Sequence, residues 1–330
     1  MSVPIDATMC ENDLSAVVRE PHHERTAAPL ALRLSKGERH FHTRDWAGIA
    51  AYAGLLKSKV VALLLVVALV TAVVASDGQI EASRLLLLAL SGALAASGAA
   101  ALNHYADRDI DAVMSRTKGR PLPAGALRPS TALRLGLALV GLGILLSLPL
   151  GLWTTFFLTL GAVIYLPVYT LWLKRRSALN IVIGGGAGSC AALAGWAAAG
   201  SGHLLETSLL AGLVFLWTPS HFWSYAVVHR EDYRQACLPM LPMKVSPTTA
   251  TTFIVAHSAL VVGLALALAY PLRAFGGLYA VGAAASSVLP VWAGWRLLRH
   301  PGRDSAYFNF KASGAYLGLL FLFILVDVLM

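Results

Sequence analysis

Long apolar runs are the feature that most constrains what this chain can fold into. An α-helix needs about 20 consecutive apolar residues to cross a bilayer, and the sequence contains nine such runs. Only 13% of the residues are charged, against about one-quarter in soluble domains. The sequence therefore predicts an all-α, polytopic membrane protein with nine transmembrane helices. The runs lie near residues 52–76, 84–106, 132–150, 152–173, 178–200, 207–229, 250–270, 274–298 and 307–329.

Positive charge is distributed by alternate connections between these runs. The N-terminal segment and the even-numbered connections hold 24 of the 26 Lys and Arg residues, whereas Arg84 and Arg273 lie on the other side. Lys and Arg accumulate in cytoplasmic loops of membrane proteins, so the N-terminus is predicted to be cytoplasmic and the C-terminus to lie on the opposite face. A basic nucleic-acid-binding protein would not sort its charge in this way, and no nucleic-acid partner is expected.

The N-terminal segment differs in character from the rest of the chain. Residues 1–45 are polar and contain no apolar stretch typical of a cleavable signal peptide. We interpret them as a flexible cytoplasmic tail, followed by one intramembrane domain over residues 46–330.

An acidic cluster follows the second apolar run. Between Ala82 and Arg230 the only acidic residues are Asp107, Asp109, Asp111 and Glu206. Carboxylates at a membrane boundary are costly and generally functional. Loop charge of the positive-inside kind would explain the nearby Lys and Arg but not three aspartates, so the cluster indicates a binding site.

The spacing of the cluster predicts its geometry. Asn103, Asp107 and Asp111 recur every four residues, and therefore form one stripe on a helix of about 3.6 residues per turn. Asp109 points to another side unless the helix has unwound. One amide and two carboxylates offer the hard oxygen ligands of Mg²⁺, which usually completes its shell with water and substrate phosphates.

Cations and a second polar cluster extend this candidate site. Arg116, Lys118 and Arg120 follow directly and can pair with phosphate oxygens. The sixth run ends in a second polar stretch, from His221 to Tyr233, on the same predicted side. Acidic clusters on helices 2 and 6 suggest two four-helix halves facing each other across one cavity, where carboxylates from both halves bind divalent ions around a diphosphate.

Three stretches carry a resemblance to a known family. They are 108–122, beginning Arg-Asp-Ile-Asp; Tyr169 to Arg175 with Asn180 to Gly185; and His221 to Trp223 continuing through Asp232-Tyr233 to Pro242. With the Asn-x3-Asp-x3-Asp stripe, they resemble the UbiA-type intramembrane prenyltransferase superfamily and, within it, its haem-modifying branch, the protoheme IX farnesyltransferases or haem O synthases. The resemblance covers about residues 50–330 and implies a helical bundle whose central cavity opens to the cytoplasmic side of the cell inner membrane.

The resemblance also implies an activity and its site. The farnesyl group of farnesyl diphosphate would pass to a vinyl group of haem B, and water would add, giving haem O and diphosphate. Mg²⁺ would be the cofactor, and haem A synthase or a terminal oxidase under assembly would be candidate partners beside the lipid bilayer. By this resemblance, Asn103, Asp107 and Asp111 hold the metal, and the diphosphate ligands are Arg116, Lys118, Arg120, Lys174 and Arg175.

The second cluster departs from the wider superfamily. Other members usually have an Asp-x3-Asp motif there, whereas this chain has Arg-Glu-Asp-Tyr. Asp232 is the expected catalytic and metal-binding residue of this cluster. His221 is expected to contact the haem, through its iron or a propionate, although a histidine hydrogen-bonded between helices would explain the residue equally well.

Two alternatives remain at this point. A prenyltransferase acting on a quinone or phenolic acceptor would share the first cluster, but an intact second motif would favour it. A haem or lipid transporter would also contain intramembrane charges. Its polar residues would be expected to continue towards the outer half of the bundle, whereas here they gather at one face.

Overall fold

The computed structural model describes residues 50–330, apart from Ser201, Pro271 and Arg273. The tail predicted for residues 1–45 and its boundary at residue 46 lie outside the described residues. Throughout the described part, the regular structure is helical and contains no strand.

Nine long helices, α1 to α9, organise the described residues. Three short helices lie between them at one end of the bundle, Arg108–Val113 after α2 and Arg230–Gln235 and Leu241–Lys244 after α6. The long helices are α1 Ser58–Ala75, α2 Ala82–Ala106, α3 Pro129–Leu150, α4 Leu152–Leu173, α5 Asn180–Ala198, α6 Leu204–Val228, α7 Pro247–Ala269, α8 Gly277–Arg299 and α9 Arg303–Leu329.

Eight of the nine helices are long and apolar enough to cross a membrane, all except α6. The 25-residue helix α6 is long enough, but polar side chains such as Ser220 and Ser224 reduce its hydropathy. These side chains are paired inside the bundle, Ser220 with Ser258 at 2.6 Å and Ser224 with Asn309 at 2.8 Å. The protein is therefore a multi-pass membrane protein, and composition alone identifies one span fewer than the nine predicted.

Each long helix packs against the next one in the chain, and α9 packs against α1. Additional contacts join α1 to α5 and α6 to α9. Helices α2–α5 and α6–α9 thus form two groups of four that share α1 as a neighbour. Helix 2 and helix 6 each end at the polar end of the bundle, as the two acidic clusters predicted.

Small residues permit the closest helix contacts. A Cβ on Gly143 of α3 would lie 2.6 Å from the Ala95 backbone nitrogen in α2, and a Cβ on Gly195 of α5 would lie 2.0 Å from the Ala68 carbonyl oxygen in α1. In lipid, close backbone approach of this kind supplies the packing that the hydrophobic effect supplies in water.

Helix α4 contains an irregular segment that matters for the site. Its second half, Ile164–Leu173, is a π-helix around Pro167, which cannot donate a backbone hydrogen bond. The wider turn presents Tyr165, Thr170 and the following Lys174 towards the end of α2.

Candidate functional site

The first acidic cluster lies where α2 ends. The helix stops at Ala106, Asp107 adopts a non-helical φ of −93°, and a new helix runs from Arg108 to Val113. Asn103, Asp107 and Asp111 are buried, with 2%, 1% and 3% of their surface exposed. The side chain of Asp109 is 42% exposed. The stripe and the separate direction of Asp109 are as the spacing predicted.

Hydrogen bonds tie the stripe together. The Asn103 amide donates to Asp107 Oδ2 at 2.8 Å and to Thr170 Oγ1 of α4 at 3.1 Å. Asp107 Oδ1, in contrast, is buried and has no hydrogen-bond partner among the described residues. A buried carboxylate oxygen without a partner is costly, and it marks a place where a cation fits.

Basic side chains contact the other side-chain oxygens of the stripe. Lys174 pairs with Asp107 Oδ2, Arg120 binds both oxygens of Asp111 at 2.7 and 2.8 Å, and Lys57 donates to the Asn103 amide oxygen. Within the described residues, no group of three or more His, Cys, Asp or Glu side chains is arranged to hold a metal ion. The potential metal ligands are two carboxylates and one amide, each facing a basic side chain.

Lys57 is a site residue that sequence reasoning missed. It lies just before α1 with a left-handed φ of 47°, and its ammonium also bonds Tyr165 Oη at 3.0 Å. Loss of hydration, followed by the nearby Arg120 charge, lowers its pKa to about 8. A lysine before an apolar run is what membrane orientation alone predicts, so the sequence contained no signal for this role.

His104 beside the stripe is also buried. Only 2% of its surface is exposed, and neither ring nitrogen has a hydrogen-bond partner within the described residues. Its closest acidic contact is Asp111, with Nδ1 3.9 Å from Oδ2.

Arg116 connects the two polar clusters. Its guanidinium carbon lies 5.4 Å from the ring centroids of both Tyr225 and Tyr233, and its nitrogens approach their hydroxyls at 3.5 and 3.4 Å. Its Nε lies 3.8 Å from Asp232. Two aromatic faces and one carboxylate thus hold this cation between α2 and α6.

Asp232 fastens the loop that contains Arg116. One of its oxygens accepts hydrogen bonds from the Ser115 backbone nitrogen at 2.9 Å and from Ser115 Oγ at 2.6 Å. Burial opposes ionisation, but these hydrogen bonds outweigh it and keep the Asp232 pKa below its usual value. Its neighbour Glu231 is exposed and accepts from Gln235, so the structure separates the two acidic residues.

The remaining two predicted cations lie at the edge of the site. Arg175 binds Asp109 through two nitrogens at 2.7 and 2.8 Å and also donates to the Ala106 carbonyl oxygen. Lys118 is exposed to solvent. The structure therefore brings Arg120 and Lys174 to the stripe, holds Arg116 between the two clusters, and leaves Lys118 and Arg175 at the rim.

His221 faces the second half of the bundle. Its Nδ1 lies 2.9 Å from Ser313 Oγ of α9, and its ring packs on Trp217 and Phe310 with centroid distances of 4.3 Å in both cases. Trp217, His221 and Tyr225 follow at four-residue intervals on α6, so they form a row that ends at Arg116. The hydrogen bond to Ser313 is the interhelical contact expected of a structural histidine, and it leaves the haem assignment untested.

A cavity of about 600 Å³ lies beside this site, at the same end of the bundle. Ser115 and Asp232 form the part of its wall nearest the stripe, while His229, Thr251, Leu297 and Arg303 line other parts. Asp232 belongs both to the polar site and to the wall of this cavity, so the candidate metal ligands adjoin an accessible volume.

Comparisons with known proteins agree with this geometry. The UbiA prenyltransferase family matches residues 64–324. The chain is 42% identical over 282 residues to a protoheme IX farnesyltransferase of Synechocystis sp., covering 84% of this chain and 89% of that protein. It is 40% identical over 277 residues to protoheme IX farnesyltransferase 1 of Paramagnetospirillum magneticum, covering 84% and 97%.

Solved structures share the fold at low sequence identity. A digeranylgeranylglyceryl phosphate synthase structure has a TM-score of 0.71 at 20% identity, covering 85% of this chain and 98% of that one. A UbiA homologue from Aeropyrum pernix has a TM-score of 0.63 at 22% identity, covering 82% and 98%. A UbiA homologue from Archaeoglobus fulgidus, bound to GPP and Mg²⁺, has a TM-score of 0.59 at 19% identity, covering 83% and 99%.

Proposed function

Because the chain belongs to the UbiA prenyltransferase family and, within it, to the protoheme IX farnesyltransferases, we propose that it transfers the farnesyl group of farnesyl diphosphate to a vinyl group of haem B. Water adds to the alkylated vinyl group, so the products are haem O and diphosphate. The observation that carries this assignment is 38–42% identity to relatives of that name over most of both chains.

The stripe at the end of α2 fits Mg²⁺. Its donor set is the hard oxygens of Asn103, Asp107 and Asp111, and Asp107 Oδ1 is buried without a partner in the part of the chain that the structure describes. When bound, Mg²⁺ supplies positive charge that stabilises the departing diphosphate. The Archaeoglobus homologue bound to GPP and Mg²⁺ supports this proposal. Asp232 is the ligand proposed from the second cluster, and it also holds the loop at Ser115.

Basic side chains around the stripe are proposed to bind the diphosphate. Lys174, Arg120 and Lys57 already face its oxygens, and Arg116 lies between the clusters. A diphosphate anion provides these cations with additional oxygen partners, while Lys118 and Arg175 extend the positive region at the rim. Preorganised charge of this kind accelerates cleavage of the allylic carbon–oxygen bond without a protein nucleophile.

The apolar bundle is proposed to protect the reactive carbocation from bulk water. The farnesyl chain lies between apolar helices, and the haem lies against the aromatic row of α6, where His221 contacts it. The multi-pass protein is proposed to reside in the cell inner membrane with a cytoplasmic N-terminus. The proposed partners are haem A synthase or a terminal oxidase under assembly.

A mass-spectrometric haem assay tests this function. Membranes containing the protein receive haem B, farnesyl diphosphate and Mg²⁺, with a chelator in the control. The expected result is a haem carrying a hydroxyethylfarnesyl group, which is absent after chelation. Unchanged haem with folded protein would contradict the proposal. Prenylation of an added quinone or phenolic precursor would then indicate the related acceptor class, and haem flux without prenylation would indicate transport.

A further inference from the structure

The hydrogen bonds around His221 favour a tautomer with the proton on Nδ1. Ser313 Oγ donates its single hydrogen to the Phe310 carbonyl oxygen at 2.9 Å. With the Ser313 hydrogen placed there, the 2.9 Å contact of Ser313 Oγ with His221 Nδ1 uses a hydrogen on that nitrogen, since a neutral imidazole has one N–H and one acceptor nitrogen. His221 Nε2 is left with an unprotonated lone pair.

The surroundings of Nε2 favour a small partner. Trp217 and Phe310 pack on the imidazole with ring centroids 4.3 Å away, inclined by 25° and 33° to it. The Trp217 indole is itself fixed by donating to the Ser313 carbonyl oxygen at 2.8 Å. Rings packed on the imidazole limit the space across its plane that a porphyrin bound through Nε2 would need, whereas a water molecule needs only the ring edge. Gly314 adjoins it, and even an added Cβ there would be 3.6 Å from Cε1.

His221 is connected to the proposed diphosphate site through Tyr225 and Phe310. Tyr225 is one helical turn from His221, about 5.4 Å along α6, and approaches Arg116 at 3.5 Å. Phe310 contacts both the Tyr225 and His221 rings, with centroid distances of 5.0 and 4.3 Å. A reaction next to Arg116 therefore takes place one helical turn from His221, whose unprotonated Nε2 lies further into the bundle.

From this geometry we infer that His221 is a catalytic residue, namely the proton acceptor for the water that completes the reaction; this role rests on the proposed function. The farnesyl C1–oxygen bond breaks and its electron pair leaves with diphosphate. The vinyl π-electrons form the new carbon–carbon bond, which places positive charge on the vinyl carbon next to the pyrrole. Water oxygen bonds to that carbon, and the water proton passes to His221 Nε2. Atoms and charge balance without any oxidant or reductant.

Two substitutions of His221 test the roles of its two ring nitrogens separately. His221→Asn keeps an amide donor near the position of Nδ1 for Ser313 and removes Nε2, whereas His221→Gln places a non-basic amide near Nε2. We expect both to reduce formation of hydroxyethylfarnesyl haem by about 10²-fold or more, the usual effect of losing a general base. Some alkylated haem should instead lose a proton, giving a product lighter by one water. Mass spectrometry of the haem products measures this ratio.

His257→Asn is the matched control, since it makes the same change in α7, where His257 Nδ1 lies 3.0 Å from the Phe253 carbonyl oxygen of its own helix. It should leave the product ratio unchanged. The absorption spectrum of added haem B should be the same in the wild type and His221→Asn. Loss of a histidine-ligation spectrum in that variant would overturn the assignment in favour of iron binding, and a wild-type product ratio and rate would overturn it outright. Wild-type protein that makes no farnesylated haem would instead refute the proposed function.

Discussion

At the scale of single residues, the site consists of buried carboxylate and amide oxygens that form ion pairs and hydrogen bonds with basic side chains. Asp107 is bound by Asn103 and Lys174 and still has one oxygen without a partner. Asp109, two residues away, is half-exposed and pairs with Arg175 at the surface. The two carboxylates are close in sequence but differ in environment, which makes them a matched pair for mutation.

Asp107→Asn is expected to reduce farnesyl transfer by at least about 10²-fold, the scale of losing one preorganised electrostatic contact, because a neutral amide binds Mg²⁺ more weakly. Asp111→Asn should act in the same way. Binding of Mn²⁺ in place of Mg²⁺, followed by electron paramagnetic resonance, should weaken in both variants, while size-exclusion chromatography checks that they stay folded.

Asp109→Asn is the control for this pair and should retain near-normal turnover, since an exposed ion pair contributes little. Near-normal turnover of purified Asp107→Asn and Asp111→Asn would count against the metal-binding stripe.

Sequence reasoning found the acidic residues but not all of their partners. Three aspartates beside an apolar run are unusual enough to be noticed. Lys57 was counted among the orientation charges, and its contact with Asn103 spans 46 residues of sequence. No local pattern predicts such a contact, because it depends on how α1 packs against α2.

At the scale of helices, close packing and irregular turns place the site. The predicted apolar runs agree with the long helices, but the ends differ for local reasons. Helix α1 begins at Ser58 and not near residue 52, because Lys57 adopts a left-handed conformation. Helix α9 begins at Arg303 and not near residue 307, since its first turn is polar and escapes a search for apolar residues. The π-helical half of α4 around Pro167 was not predicted from the sequence.

Gly143→Ala in α3 is expected to destabilise the protein by about 1–3 kcal/mol, as overpacking does, because the new methyl group would lie 2.6 Å from the Ala95 backbone nitrogen. Thermal unfolding of the purified protein in detergent measures the change. The control is Gly141→Ala in the same helix, where nothing lies within 4 Å of the added Cβ. That variant should be neutral or slightly stabilised, since alanine favours the helix. Equal melting temperatures for the two variants would disprove a close α2–α3 contact at Gly143.

At the scale of the whole molecule, the arrangement of helices and charges predicts a definite orientation. The loops between α2 and α3, and between α6 and α7, gather at the polar end, as the pairing of Ser115 with Asp232 requires. Both loops were predicted to be cytoplasmic from their Lys and Arg residues. The C-terminus follows α9 and is predicted to lie on the opposite face.

Reporter fusions can measure this orientation. Alkaline phosphatase fused after Met330 should be active, because its disulfides form only outside the reducing cytoplasm, and a green fluorescent protein fusion at the same point should be dark. Fusions to a chain truncated after Gly125, between α2 and α3, should give the reverse pattern. An active phosphatase at Gly125 would contradict the predicted orientation and the cytoplasmic position of the site.

The sequence by itself determined the membrane-embedded helical class, the segregation of positive charge and the Asn103–Asp107–Asp111 stripe. Each of these depends on composition or on spacing within one helix, where geometry follows from about 3.6 residues per turn. Only the tertiary structure decided the cross-helix partners, namely Lys57 on Asn103, Ser115 on Asp232, and Tyr225 and Tyr233 around Arg116. These contacts join segments up to 117 residues apart, and they depend on which helix faces which, a choice that packing between helices makes and that periodicity within one helix does not encode.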